Sequence, residues 1–103
     1  MLASVTIRQV ARWLRKEFPV APGVGKIRLV DYPKGDADTF GETTSSGYIK
    51  LNRAYAPHII RETLLHEWVH ARLGWSSGDP HNQAFWIELG RITRAYEHWR
   101  EDS

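Results

Sequence analysis

No cysteine occurs among the 103 residues of this chain. Disulfide bridges, thiolate zinc sites, iron–sulfur clusters and cysteine nucleophiles are therefore excluded together. The sequence also lacks any apolar run near the ~18–20 residues that a membrane-spanning helix needs. After Met1 no basic segment precedes an apolar one, as it does in a secretory signal. We therefore expect a cytoplasmic protein with no membrane partner.

The sequence carries little net charge, because 14 lysines and arginines stand against 12 aspartates and glutamates. The arginines are scattered at helical surface spacings, whereas proteins that bind nucleic acid usually gather basic groups into a stripe or patch. A nucleic-acid partner is therefore only weakly supported. The length corresponds to one domain of roughly 100–200 residues, and the sequence shows neither a repeat nor a linker. We predict a single domain over residues 1–103, present as a monomer.

The first half of the chain predicts one helix followed by short strands. Apolar residues recur at helical spacing from Thr6 to Phe18, and the start of this segment has a capping-box pattern. Alternating residues predict strands over 26–32 and 48–52. A weaker strand candidate over 39–43 would form a hairpin with the last of these.

The second half of the chain predicts two helices. Helical periodicity begins at Ala56, and Gly74 is placed as a stop after the last apolar position. The last helix is expected to begin with Asp79 as its N-cap and Pro80 in its first turn, and to end near Arg100. The predicted fold class is therefore α+β, with an N-terminal helix, a small mixed or antiparallel three-stranded sheet, and two further helices.

The predicted second helix contains the motif that carries chemistry. Residues 66–70 read His-Glu-Trp-Val-His, which is an HExxH motif. Side chains four residues apart share one face of a helix, so His66 and His70 can each point a ring nitrogen at one metal ion. Glu67 then flanks the metal and can take a proton from a metal-bound water. The motif predicts a zinc hydrolase in which Glu67 is the catalytic residue.

A third zinc ligand is needed, because a catalytic zinc ion takes three protein ligands and keeps one position open. His81 is the preferred candidate, since it follows His70 across a glycine-containing loop and would lie beside the end of the motif helix. Glu88 is the alternative, two turns into the last helix. Weaker candidates for the same role are His58, His98 and Asp79.

The stretches Thr63–Ala71 and Gly78–Trp86 resemble the SprT-like metalloproteases and the related small zincins of the WLM type. Those proteins combine HExxH, a short loop, and a histidine followed four residues later by phenylalanine, here His81 and Phe85. The segment over 47–52 is similar to the hydrophobic strand that ends in asparagine just before their motif helix. The resemblance covers about residues 27–92.

This resemblance implies a zincin-like minimal metalloprotease domain that binds Zn²⁺ and acts on a protein or peptide. It assigns the general base to Glu67 and the zinc ligands to His66, His70 and His81. By the same resemblance, we expect an extended substrate to pair with a sheet edge formed by the Tyr48–Asn52 strand or by its hairpin partner. The substrate-binding residues expected there are Gly41, Tyr48, Ile49 and Lys50.

Three functions are compatible with these residues. The preferred one is a zinc-dependent endopeptidase that hydrolyses peptide bonds through a zinc-bound water activated by Glu67. A zinc hydrolase of a non-peptide substrate would use the same groups. The third is a zinc-stabilised module that binds protein or nucleic acid without turnover, for which Glu67 would be dispensable.

Overall fold

The chain folds into helices and a small sheet, and the computed structural model describes residues 5–74 and 78–102. The elements are α1 (Ile7–Glu17), β1 (Ile27–Val30), a short 3-10 turn (Lys34–Asp36), β2 (Gly41–Thr43), β3 (Ile49–Asn52), α2 (Pro57–Leu73) and α3 (Gln83–Glu101). The predicted α+β class and order of elements are confirmed. The polar loop predicted over 76–78 begins outside the described residues. No helix within these ranges carries an apolar stretch that could cross a bilayer.

The sheet is mixed, and β3 is its central strand. β2 pairs with β3 antiparallel, which confirms the predicted hairpin, while β1 pairs with its other side in parallel. Because both sides of β3 are occupied, the expectation that the Tyr48–Asn52 strand offers a free edge is wrong. Ile49 and Lys50 therefore lie in a strand that is paired on both sides. Tyr48 lies one residue before β3, and its main chain is hydrogen-bonded to Thr44. The other expected edge, which contains Gly41, is β2, and its contact with a substrate stays a prediction.

Helix α2 is the central packing element, because it contacts the sheet, α1 and α3. Its side chains Leu64 and Trp68 are fully buried against the core. The indole Nε1 of Trp68 also donates a hydrogen bond of 2.8 Å to the carbonyl oxygen of Phe18, just after α1. Each buried side chain of this size stabilises the fold by about 1.5–3 kcal/mol. The helix that carries the motif is thus fixed on several sides. The other large side chains that are fully buried among the described residues are Val10, Leu14, Ile49, Leu51, Asn52, Val69, Phe85 and Ile92.

Helix α3 begins later than its sequence pattern predicts. Asn82 is the N-cap, and its side-chain oxygen accepts a hydrogen bond of 3.1 Å from the backbone N–H of Phe85. The carboxylate of Asp79 instead accepts a hydrogen bond of 2.9 Å from the backbone N–H of His81. This bond closes a separate turn before the helix. The prediction that Asp79 caps the helix and Pro80 opens it is wrong. His81 consequently lies in the turn before α3.

Candidate metal centre

Helix α2 ends shortly after the motif. Gly74 adopts a left-handed φ of 70°, a conformation that favours glycine, and its N–H donates a hydrogen bond of 2.9 Å to the carbonyl oxygen of His70. The predicted stop at Gly74 is therefore confirmed. Because the helix ends one turn after His70, the turn that contains His81 can lie over the histidines of α2.

Three imidazoles converge at this point. The Nε2 atom of His81 lies 3.2 Å from Nε2 of His70 and 3.3 Å from Nε2 of His66. Tetrahedral bonds of about 2.0–2.1 Å place two nitrogen ligands roughly 3.3 Å apart. The separations therefore fit one ion held between the rings. Over residues 5–74 and 78–102, these three residues are the group found close enough together to hold a metal ion.

The two histidines on α2 favour their neutral form. Burial lowers the pKa of His66, and the nearby His81 lowers it further. Burial also lowers the pKa of His70 to about 4, with additional contributions from His66 and His81. A neutral imidazole offers a free lone pair, whereas a protonated one cannot bind a metal. At neutral pH both rings are therefore in the state that coordination needs.

Phe85 supports the three rings from the protein interior. Its side chain is fully buried, and its ring centroid lies 4.8 Å from that of His66, 4.7 Å from that of His70 and 4.8 Å from that of His81. This contact restricts the orientation of all three imidazoles at once. The sequence signal for it is the position of Phe85 four residues after His81.

The carboxylate of Glu67 lies beside the histidines rather than among them. Its Oε2 atom is 4.0 Å from Nε2 of His66, while its Oε1 accepts a hydrogen bond of 2.8 Å from the hydroxyl of Thr43. Burial raises the pKa of Glu67. The hydrogen bond from Thr43 and the nearby His81 oppose this shift. A raised carboxyl pKa suits a group that takes up and returns a proton.

Thr43 is a site residue that the sequence pattern does not reveal. Its side chain is buried on β2 and contacts Glu67 across 24 residues of sequence. No local spacing links the two positions, because the contact depends on how the sheet packs against α2. The one available signal is that Thr43 lies in the strand candidate expected to border the site.

The other ligand candidates do not join the histidines. Glu88 lies 3.4 Å from Nε of Arg72 and 3.6 Å from a guanidinium nitrogen of Arg91, so its carboxylate is engaged by cations. His58 and His98 are exposed. The alternative in which Glu88 replaces His81 is therefore not supported by this geometry.

A groove of about 530 Å³ opens beside His66 and Glu67. It is lined by the segment that leads into β2 and by the first half of α2, with Asp38, Thr39, Phe40, Gly41, Ile59, Glu62 and Thr63 as the remaining residues. Of the expected substrate-binding residues, Gly41 alone lines it. Ile49 is fully buried, and Lys50 lies 3.9 Å from Glu42 in an ion pair.

The outer edge of β2 faces away from β3. The N–H of Asn52 donates to the oxygen of Phe40, and the N–H of Thr44 donates to the oxygen of Tyr48. Antiparallel pairing alternates between bonded and non-bonded positions, so the main-chain groups of Gly41 and Thr43 point to the open side. Over residues 5–74 and 78–102, no main-chain hydrogen bond reaches these outward groups.

No family model, curated protein or solved structure matches this chain. The site itself combines a histidine triad able to hold a metal ion, a buried carboxylate beside it, and a groove bordered by a sheet edge.

Proposed function

We propose that the protein is a zinc-dependent endopeptidase in which His66, His70 and His81 hold the metal. The observation that carries the proposal is the convergence of three Nε2 atoms, at 3.2 and 3.3 Å from that of His81, beside a buried carboxylate. Zinc is the metal that best suits three neutral imidazoles with a position left open. Calcium and magnesium prefer oxygen ligands.

Glu67 is the general base of the proposed reaction. When bound, the metal supplies Lewis acidity toward a water molecule and a carbonyl oxygen. The Oε2 atom of Glu67, on the side of His66, accepts the proton of the attacking water and returns it to the departing amine. Thr43 holds the other oxygen, Oε1, and so keeps Oε2 directed toward the reacting atoms.

The open edge of β2 favours a peptide over a compact substrate. An extended chain can add to a sheet edge through main-chain hydrogen bonds, and the outward groups of Gly41 and Thr43 are placed for this pairing. The same strand carries the hydroxyl that contacts Glu67. A peptide paired with β2 would therefore have its carbonyl groups beside both the general base and the histidines.

The test compares the zinc-loaded wild-type protein with its Glu67→Gln variant on an unfolded, fluorescently labelled protein. We expect Glu67→Gln to retain zinc but to lose at least the ~10²–10⁴-fold that a general base contributes. Glu17→Gln is the matched control, because Glu17 is exposed on α1, and it should cleave like the wild type. Equal cleavage by the wild type and Glu67→Gln would remove the proposed mechanism. A wild-type protein that binds zinc but never cleaves would favour a binding module or a non-peptide hydrolase.

A further inference from the structure

The groove beside the histidines is lined by acidic side chains and by no lysine or arginine among the described residues. Asp38 lines it from the segment before β2 and Glu62 lines it from α2, one helical turn before His66. Both carboxylates are exposed, and neither forms an ion pair with a described residue. The groove thus presents two carboxylates without a protein cation beside them.

The same groove has an apolar wall. Phe40 is 51% exposed although it is a large hydrophobic residue, and its ring lies 4.4 Å from that of Tyr55. Ile59 faces the groove from α2. Tyr55 itself is held in place, because its hydroxyl donates to the carbonyl oxygen of Ala37 at 3.3 Å. Phe40 therefore packs against a tyrosine that is itself held in place, and about half of the surface of Phe40 stays available to a ligand.

We infer that this groove selects an extended polypeptide segment that carries an apolar side chain next to a lysine or arginine. The apolar side chain contacts Phe40 and Ile59, and the cation lies between the carboxylates of Asp38 and Glu62. The inference rests on the proposed function in taking a peptide as the occupant of the groove. It adds a substrate class and the residues that determine it, since charge complementarity favours basic segments and repels acidic ones.

The test uses the zinc-loaded Glu67→Gln protein, so that binding is measured without turnover. Three short labelled peptides are compared by fluorescence anisotropy, each with a central leucine flanked by lysine, glutamine or glutamate. Exposed ion pairs contribute about 0.2–1 kcal/mol. For each lysine that pairs with a carboxylate of the groove, the lysine peptide should therefore bind roughly 1.4- to 5-fold more tightly than the glutamine peptide. The glutamate peptide should bind most weakly. The differences should shrink in high salt, which screens exposed charges.

Binding measurements on variants then test whether the preference for the lysine peptide arises in this groove. In the Glu67→Gln background, Asp38→Asn and Glu62→Gln should each reduce the advantage of the lysine peptide, and Glu62→Lys should reverse it. Glu17→Gln and Glu17→Lys make the same charge changes on the exposed face of α1 and should leave the preference unchanged. Zinc content verifies the fold of each variant. Phe40→Ser should weaken binding of the leucine peptides but not of matched alanine peptides.

Equal affinity for the three peptides, no binding of any of them, or the same effect from Glu17→Lys as from Glu62→Lys would overturn the inference. Its failure is distinguishable from that of the proposed function. Cleavage by the wild type without a charge preference would keep the peptidase and remove the substrate class. A charge preference in binding without any cleavage would keep the groove as a peptide site and remove the hydrolysis.

Discussion

The hydroxyl of Thr43 lies 2.8 Å from Oε1 of Glu67 and 3.1 Å from the main-chain oxygen of the same residue. Both residues are buried, so this hydroxyl is the polar contact by which the edge strand holds the carboxylate of α2. The contact joins the strand proposed to receive the substrate to the residue proposed to move the proton. Thr43 is therefore a positioning residue.

Thr43→Val tests this relationship. Removing the hydroxyl leaves a buried carboxylate oxygen without its donor, which costs about 1–3 kcal/mol of stability, and frees Glu67 to rotate. We expect kcat to fall at least about tenfold, with KM and zinc content nearly unchanged. Thr43→Ser keeps the hydroxyl and should restore most of kcat. A Thr43→Val enzyme with wild-type kcat would contradict the positioning role.

Zinc should stabilise the folded protein, because the three imidazoles converge in the folded chain. Zinc at 1,000 times its Kd contributes about 4 kcal/mol, and each kcal/mol raises Tm by roughly 4–8 °C in a domain of this size. We expect EDTA to lower Tm of the wild type by roughly 15–30 °C, measured by circular dichroism. His70→Ala should show almost no response to zinc or EDTA, while His98→Ala, altered at an exposed position, should respond like the wild type. An equal response in His70→Ala would place the stabilising ion elsewhere.

Gly41 allows β2 to approach α2 closely. A Cβ atom at this position would lie 2.8 Å from Cγ2 of Thr63 and 2.9 Å from the carbonyl oxygen of Lys50. Gly41→Ala should therefore cost about 1–3 kcal/mol, as overpacking typically does, and lower Tm by roughly 4–8 °C per kcal/mol. Gly35→Ala is the matched control, because nothing lies within 4 Å of its added Cβ. Equal Tm values for the two variants would refute the close approach.

Local patterns predict much of this fold. The capping box at α1 is present as expected, with Thr6 Oγ1 accepting the N–H of Gln9 at 3.1 Å and Gln9 Oε1 accepting the N–H of Thr6 at 2.7 Å. The helical periodicity of α2 places His66 and His70 on one face, and the position of His81 eleven residues after His70, across a glycine-containing segment, predicts its approach. These features depend on residues that are near one another in sequence.

Two features of the fold differ from the prediction, one because a strand partner is distant in sequence and one because two neighbouring residues compete as the N-cap of α3. The central position of β3 follows from its parallel pairing with β1, in which Ile27 lies opposite Ile49, and alternation along one strand carries no information about that partner. The sequence pattern misplaces the start of α3 because Asp79 and Asn82 are both good N-cap residues. In the structure Asp79 closes the turn at His81, and Asn82 caps the helix.

Zinc stoichiometry is the decisive measurement of whether His66, His70 and His81 bind one metal ion together. Elemental analysis after dialysis against limiting free zinc should give one zinc per chain for the wild type and for Glu88→Ala. It should give almost none for His81→Ala, whose third imidazole is missing. One tightly bound zinc per chain in His81→Ala would show that these three histidines do not form the metal site.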